Sequence, residues 1–230
     1  MNSTRIKSAI RALLARASVV DRPLSDVEFL SGLGDSAFLL YGLARALKPR
    51  VAVEIGSARG KSAAYVGRAL KENGFGKLYA IDPHKSTDWN DVGSIDTLSI
   101  MRKNIKKLGV EHFVEIVREV SQSVAERWSL PIDLLFIDGD HSYEGVRRDW
   151  ELFSPHVTPF GVVVFHDTLW ELQPDPQFSR ANMGVPAFVE ELRAAGHPVI
   201  TLDKNFGVSM VQPTVGGVAL KKVPSPHDRS

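Results

Sequence analysis

The stretch that most constrains this chain runs from residue 51 to residue 60 and reads VAVEIGSARG. A short apolar run is followed by an acid, Glu54, by glycines at Gly56 and Gly60, and then by a helical pattern that begins at Lys61. This order predicts a buried parallel strand that passes through a tight turn into a helix N-terminus, where nucleotide-like ligands dock. The glycine spacing differs from the dinucleotide-binding pattern, and Glu54 would repel a pyrophosphate. We therefore expect a ligand with a cationic amino-acid group rather than a nicotinamide dinucleotide.

Strand and helix patterns alternate along the rest of the chain. Further strands are predicted near residues 78–81, 113–117, 132–137, 162–165, 198–203 and 206–212. Short connections between alternating elements indicate a mostly parallel sheet with right-handed crossovers. Only Lys204 and Asn205 separate the last two predicted strands, so that pair must be antiparallel. The fold class is therefore α/β, Rossmann-like and doubly wound, with helices on both faces and an antiparallel final strand.

The 230 residues suit one domain with short terminal additions. We divide them into N-terminal helices at 1–48, a main domain at 49–213 and a flexible tail at 214–230. The first twenty residues carry four basic residues and no acid, which leaves an organelle transit peptide open. The alternative is an amphipathic helix that packs on the domain or on a second subunit, and so supports a homo-oligomer.

Composition excludes several classes of partner. The chain has 28 basic and 27 acidic residues, so we expect neither nucleic acid nor an anionic membrane as a partner. It has no cysteine, which rules out disulfides and thiolate ligands and fits a reducing, cytoplasmic location. No apolar run approaches the roughly 20 residues that a membrane-spanning helix needs.

Acidic residues and histidines follow the predicted strands. Asp82 ends the second strand and is placed to accept hydrogen bonds from ribose hydroxyls, although it could instead cap a helix or order a loop. Asp138 and Asp167 end adjacent strands, so their carboxylates can converge on one hard cation such as magnesium, manganese or calcium. The alternative at the fourth strand is an ordinary turn with Asp140 or Ser142 as a helix cap.

His141 lies three residues after Asp138, in the segment IDGDHSY. A lone histidine is more often structural, but one beside a metal-bound hydroxyl can act as a general base. The N-terminus of the following helix should disfavour the protonated imidazole and so keep a neutral base available.

Four segments together resemble a known family: EIGSARG, AIDP, FIDGDHSYEGV and GVVVFHDT. They are similar to class I S-adenosylmethionine-dependent methyltransferases. More narrowly, they resemble the group that holds the metal-dependent macrolide-sugar O-methyltransferases and the proteins named cephalosporin hydroxylases. The resemblance covers about residues 50 to 170 and implies a seven-stranded sheet whose final strand is inserted antiparallel.

The resemblance also implies roles for individual residues. In the family pattern, the methionine end of the cofactor is held by Glu54, Gly56, Ser57 and Gly60. Asp82 takes the ribose, Glu119 or Val120 the adenine, and Asp138 lies at the junction of cofactor and metal. The metal is bound by Asp138, His166 and Asp167, and His141 is the catalytic base. His166 stands where relatives carry an acid, which tilts the preference from magnesium toward manganese, iron or cobalt.

The sequence thus predicts transfer of a methyl group to a hydroxyl of a small molecule, such as a natural-product sugar, with help from a divalent metal. Asp138 would hold the metal, His141 would take the proton, and the segments around Trp89 and Trp170 would close over the acceptor. Two alternatives stay open. One is a metal-dependent oxygenase or hydroxylase on the same fold, and the other is a non-catalytic cofactor-binding interaction module.

Overall fold

A computed structural model describes residues 31–85, 96–170 and 182–213. The predictions for the helix within residues 1–20, for the segment around Trp89 and for the tail at 214–230 lie outside these ranges. Within them, no helix is both long enough and apolar enough to cross a bilayer.

Seven strands and six helices are present in the described part of the chain, and we number them in chain order. The strands are β1 (Val51–Ile55), β2 (Lys77–Ile81), β3 (Val114–Val117), β4 (Ile132–Ile137), β5 (Val157–His166), β6 (Val199–Leu202) and β7 (Val208–Val211). The helices are α1 (Ser36–Leu47), α2 (Lys61–Asn73), α3 (Thr97–Leu108), α4 (Ser121–Ala125), α5 (Tyr143–Phe153) and α6 (Val185–Ala194). A single 3₁₀ turn, Ser154–His156, joins α5 to β5.

The seven strands form one sheet in the order β3-β2-β1-β4-β5-β7-β6. The first five strands pair in parallel, and β7 lies antiparallel to both β5 and β6. The predicted fold class is therefore confirmed, including the inserted antiparallel strand. Because the strand order reverses on either side of β1, a ligand crevice is expected beyond the carboxyl ends of β1 and β4.

Apolar residues on both faces of the sheet are buried, which explains why β1 begins with three consecutive apolar residues, Val51 to Val53. Ala52 packs with α1, α2 and α3 on one face, whereas its neighbour Val53 packs with α5 and α6 on the other. Both side chains are fully buried. Strands covered on two sides cannot alternate between apolar and polar residues, and this pattern typifies the centre of a parallel sheet.

The helix boundaries agree with most of the sequence predictions. Gly109 ends α3 in the left-handed conformation (φ 62°), and the Ser142 side chain accepts a hydrogen bond from Gly145 N at the start of α5. Asp35 occupies the cap position of α1, but its side chain forms no capping hydrogen bond. A backbone bond from Ser36 N to the Leu33 carbonyl orders that helix start instead.

Two strand predictions need correction. β5 begins at Val157 rather than near residue 162, because the segment before Gly161 already pairs with β4 across an irregularity in register. The connection between β6 and β7 spans residues 203–207 rather than two residues. Asn205, Phe206 and Gly207 in that connection all adopt positive φ angles, a conformation that no propensity argument predicts for three successive residues.

Candidate active site

A cavity of about 790 Å³ opens at the carboxyl ends of the parallel strands. Its size lies within the roughly 300–1,000 Å³ typical of small-molecule sites. The predicted site residues in its wall are Gly56, Ser57, Asp82, Val120, Asp138, His141, His166 and Asp167. Three predicted cofactor residues, Glu54, Gly60 and Glu119, do not line it. The wall also contains Arg59, Ser121, Gln122 and Asp149, which the sequence did not single out.

The glycine turn after β1 brings the backbone of two strands into close contact. Gly56 has φ +87°, and a Cβ atom built on it would lie 2.1 Å from the Asp138 carbonyl oxygen. Gly60 has φ +83°, and its Cβ would lie 2.7 Å from Met101 Cγ. Only glycine fits at these points, because any side chain would meet either the end of β4 or the side chains of α3. Gly60 therefore serves packing between α2 and α3 rather than the cavity wall.

Asp82 lies on the cavity wall, but its carboxylate is engaged by the backbone. Oδ2 accepts hydrogen bonds from Ser57 N and Ala58 N, both at 2.8 Å, and Oδ1 accepts one from His84 N at 2.6 Å. The carboxylate thereby holds the glycine turn in place. Each carboxylate oxygen can accept more than one hydrogen bond, so the ribose role of Asp82 stays a prediction.

Glu54 is buried behind the turn, with 1% of its surface exposed. Its Oε1 accepts a hydrogen bond from Ser62 Oγ, whereas its Oε2 has no hydrogen-bond partner among the described residues. Burial raises the pKa of this carboxyl to about 8, and the nearby charges of Asp138 and Asp82 act in the same direction. Glu54 therefore lies one layer behind the cavity surface, where the sequence had predicted direct contact with the ligand.

The two residues predicted to bind the adenine, Glu119 and Val120, differ in their position relative to the cavity. Glu119 pairs with Arg127 at 2.5 Å on the surface and points away from the cavity, whereas Val120 lines it. The next residue, Ser121, donates a hydrogen bond from Oγ to Asp149 Oδ1 at 2.6 Å. Asp149 is 3% exposed, and burial raises the pKa of its carboxyl to about 6. The pattern of apolar residues in α5 did not predict that the Asp149 side chain is buried.

Two acids and two histidines converge beyond β4 and β5, and we call Asp138, His141, His166 and Asp167 the Asp/His cluster. His141 lies between the carboxylates, with Nε2 3.4 Å from Asp138 Oδ1 and Nδ1 3.3 Å from Asp167 Oδ2. His166 Nδ1 lies 3.3 Å from Asp138 Oδ1 and 3.1 Å from Asp167 Oδ1. The structure thus brings all four predicted residues together.

Donor atoms of Asp138, His141 and Asp167 lie within 4.8 Å of one another, a spacing that could hold a metal ion. This trio differs in one member from the predicted set, which has His166 in place of His141. His166 Nε2 lies 2.9 Å from the Asn205 carbonyl oxygen and must donate to it, since a carbonyl only accepts. Metal-binding histidines commonly hold their second ring nitrogen in this way.

The charges of the Asp/His cluster stabilise one another. Burial opposes ionisation of Asp138, but the His166 imidazolium outweighs it and lowers the pKa of the carboxyl. Burial likewise disfavours the charged form of both histidines, yet the two carboxylates outweigh it and raise the pKa of His141 and, more strongly, of His166. The expectation that the helix N-terminus keeps His141 neutral is therefore wrong for the metal-free cluster, because two carboxylates lie closer to the ring than the helix end does.

The backbone around the cluster is strained. Asp167 is buried and has φ +60°, which is rare for a residue other than glycine and is often found at functional sites. The left-handed residues of the β6–β7 connection support it from behind, since Leu169 N donates to the Phe206 carbonyl at 2.8 Å. Trp170 stacks on Phe206 with ring centroids 4.6 Å apart, and both residues line the cavity beside the cluster.

Comparisons with known proteins agree with this arrangement. A family model described as a methyltransferase domain matches residues 53–168, half of the chain. An uncharacterized protein of Sinorhizobium fredii is 29% identical over 218 residues, which is 90% of this chain and 22% of that protein. An uncharacterized protein of Acanthamoeba polyphaga mimivirus is 50% identical over 36 residues, 16% of each chain. The chain thus spans about a fifth of the length of the curated relatives it matches.

Solved structures share the fold. The O-methyltransferase TomG of Streptomyces achromogenes, involved in tomaymycin synthesis and solved in complex with SAM, has a TM-score of 0.63 at 21% identity, covering 93% of this chain and 100% of its own. The SAH-bound methyltransferase PaMTH1 of Podospora anserina has a TM-score of 0.64 at 15% identity, covering 93% and 97%. An O-methyltransferase of Bacillus cereus in complex with SAH has a TM-score of 0.59 at 17% identity, covering 89% and 97%.

The glycine turn, the cavity at the switch point of the sheet and the match over residues 53–168 lead to one assignment. The chain belongs to the family of the matched methyltransferase domain.

Proposed function

We propose that this chain transfers the methyl group of S-adenosylmethionine to a hydroxyl oxygen of a small molecule, assisted by a divalent cation. One observation carries the proposal: the Asp/His cluster lies against the glycine turn, where the Gly56 backbone contacts the Asp138 carbonyl. A methyl donor on the turn and an acceptor at the cluster would then be neighbours. Methyl transfer is an in-line displacement, so this proximity is what catalysis requires.

The donor set of the cluster fits a divalent cation. Asp167 Oδ1 is buried and, although it lies 3.1 Å from His166 Nδ1, forms no hydrogen bond with a described group. We assign Asp138, His166 and Asp167 as the ligands, because His166 is already oriented by the Asn205 carbonyl. Two carboxylates and an imidazole favour manganese, iron or cobalt over magnesium. When bound, the cation would lower the pKa of the acceptor hydroxyl and offset the charge of the two carboxylates.

His141 is then the residue that takes the proton of the acceptor. Its side chain lies in the cavity wall, between Asp138 and Asp167. With the charge of these carboxylates offset, the imidazole can lose its own proton near neutral pH and accept another. Trp170 and Phe206 form an aromatic wall beside it, against which the apolar face of an acceptor can pack.

The proposal is tested by a mass-spectrometric screen of hydroxylated small molecules, natural-product sugars first, with S-adenosylmethionine and each of Mg²⁺, Mn²⁺, Fe²⁺ and Co²⁺. We expect a product heavier by one methylene, more of it with Mn²⁺, Fe²⁺ or Co²⁺ than with Mg²⁺, and none after EDTA. Calorimetry should still detect S-adenosylhomocysteine binding in EDTA, since the glycine turn needs no metal. Full turnover in EDTA after dialysis would remove the cation from the mechanism.

The assignment of ligand and base is tested separately by Mn²⁺ titration of two variants. His166→Ala should weaken Mn²⁺ binding by more than the roughly 10- to 100-fold that loss of an outer-shell partner costs, because it removes a ligand. His141→Ala should retain Mn²⁺ affinity and lose turnover. The reverse result would make His141 the ligand, in agreement with the spacing of the trio Asp138, His141 and Asp167.

A further inference from the structure

The end of β1 and the turn that leads to α2 contain buried polar atoms that no described residue satisfies. Among the described residues, Glu54 Oε2, Ser57 Oγ and Arg59 Nη2 are all buried without a hydrogen-bond partner. These three residues lie within six positions of one another in the sequence, although such atoms are rare in folded proteins. Their concentration in one turn indicates that a ligand completes their hydrogen bonding.

Arg59 is the most unusual of the three. Its residue surface is 5% exposed, yet its guanidinium forms no hydrogen bond or ion pair with any residue that the structure describes. Only its backbone carbonyl is engaged, as the acceptor of a hydrogen bond from Asn104 Nδ2 at 3.1 Å. Burying an unpaired charge is costly, and arginine is normally buried only together with an acidic partner. That partner must therefore come from outside the described protein groups.

The surroundings of Arg59 favour an anion. Arg59 lines the cavity, as does Lys61 two residues later. Gly60, between them, occupies the cap position of the thirteen-residue helix α2 and supplies no side-chain cap. The free backbone N–H groups of the helix start add partial positive charge to the same place. A planar guanidinium beside a helix N-terminus matches the geometry of a carboxylate.

We infer that Arg59 is the residue that binds a carboxylate inside this cavity. The carboxylate can come from the methionine part of S-adenosylmethionine or from the acceptor, and the turn favours the first source. Arg59 belongs to the turn that holds the cofactor in the proposed function, and its Nη2 is buried without a partner among the described residues, whereas Glu54 lies behind the cavity wall. This inference rests on the cofactor of the proposed function and extends it to a residue that the sequence motif left without a role.

The test compares S-adenosylmethionine with its decarboxylated form, which keeps the sulfonium and the amine but lacks the carboxylate. Calorimetry on the wild-type protein should show tighter binding of S-adenosylmethionine by about 10- to 100-fold, the contribution of a charge-assisted hydrogen bond. Arg59→Gln should lose this preference while binding the decarboxylated form like the wild type. Arg148→Gln is the matched control, since Arg148 lines another wall of the cavity, next to Asp149, and should keep the preference.

A second arm identifies an acceptor carboxylate. Acetate is titrated into protein saturated with S-adenosylhomocysteine, whose own carboxylate then occupies the turn if Arg59 binds it. Acetate binding by the wild type and not by Arg59→Gln, with an unchanged preference between the two cofactors, would assign the acceptor as the source. If Arg59→Gln keeps both the cofactor preference and the acetate response of the wild type, the inference is overturned.

Thermal unfolding separates this role from a structural one. Because the unpaired guanidinium is costly to bury, Arg59→Gln should melt at the same temperature as the wild-type apoprotein or higher. A large loss of stability in the apoprotein would show that Arg59 supports the fold instead. A wild-type protein that binds neither form of the cofactor would contradict the proposed function, and acetate binding to the apoprotein and to Arg59→Gln would then decide the role of Arg59 alone.

Discussion

The glycine turn and the Asp/His cluster lie side by side in one cavity, but they pair their charged groups in opposite ways. In the turn, Arg59 has no acidic partner and Glu54 Oε2 has no hydrogen-bond donor among the described residues. In the cluster, each carboxylate lies within 3.4 Å of a nitrogen of both histidines. The turn is therefore complete only with a ligand, whereas the cluster is balanced by its own charges.

This difference explains how one cavity can bind two unlike partners. A turn with a buried, unpaired guanidinium favours a ligand that brings the missing anion, because binding removes a cost already present in the apoprotein. A cluster of balanced charges can exchange the two imidazolium protons for one divalent cation without a change in its net charge. We expect substitutions in the cluster to affect mainly turnover and substitutions in the turn to affect mainly cofactor binding.

The largest expected effect is on turnover in His141→Ala. Loss of a general base should lower kcat about 10²- to 10⁴-fold, while S-adenosylhomocysteine affinity stays within a few-fold of wild type. The His141 side chain contacts both carboxylates, so the metal-free variant should also melt at a lower temperature than the metal-free wild type. Addition of Mn²⁺ should remove this difference in melting temperature. His112→Ala, at an exposed histidine, is the control. Unchanged kcat in His141→Ala would move the base elsewhere.

The next largest effect is expected from substitution of Gly56, because the glycine turn contacts the Asp/His cluster at this residue. Gly56→Ala places a Cβ 2.1 Å from the Asp138 carbonyl oxygen at a φ of +87°. We expect it to lower the free energy of unfolding by about 3 kcal/mol or more and to abolish S-adenosylhomocysteine binding. Denaturant unfolding and calorimetry measure the two effects.

Gly74→Ala is the matched control for this substitution. Gly74 has a similar φ of +81°, but a Cβ there would meet nothing within 4 Å. It should cost only the backbone strain, about 1 kcal/mol, and leave cofactor binding unchanged. Equal losses of stability in the two variants would mean that the close approach to Asp138 is unimportant.

The smallest expected effect is the pH dependence that Glu54 gives to stability. The pKa of Glu54 is raised from 4.5 to about 8 in the folded protein, so the folded state binds more protons than the unfolded state between these values. The free energy of unfolding should therefore fall as pH rises through this window, on the order of 3 kcal/mol between pH 5 and pH 8. Glu54→Gln should remove this decrease.

Urea unfolding of the wild type and Glu54→Gln at several pH values measures the difference. Glu115→Gln, at an exposed glutamate of β3, is the control and should follow the wild type at every pH. A wild-type curve parallel to that of Glu54→Gln would show that Glu54 is not held in a raised-pKa state.

Sequence reasoning succeeded where the arrangement depends on chain order. The strand, turn and helix at residues 51–73 and the short β6–β7 connection predicted the sheet, including its antiparallel strand. Since parallel strands end at the same edge, the convergence of Asp138, His141, His166 and Asp167 could also be predicted. Sequence reasoning failed to predict the direction in which individual side chains point. Glu119 turns outward to Arg127, and Asp149 turns inward to Ser121.

The sequence by itself determined the fold, the family and the place of the cavity, because apolar periodicity and glycine spacing are local properties of the chain. Only the tertiary structure decided which groups are paired and which carry charge. His166 meets the Asn205 carbonyl 39 residues later in the chain, and Gly56 meets Asp138. Protonation and pairing depend on burial and on distances of a few ångströms, and contacts between residues far apart in the sequence set both. For the same reason Arg59 reads as an ordinary basic residue beside a glycine, and only its burial without a partner among the described residues led us to infer a binding role.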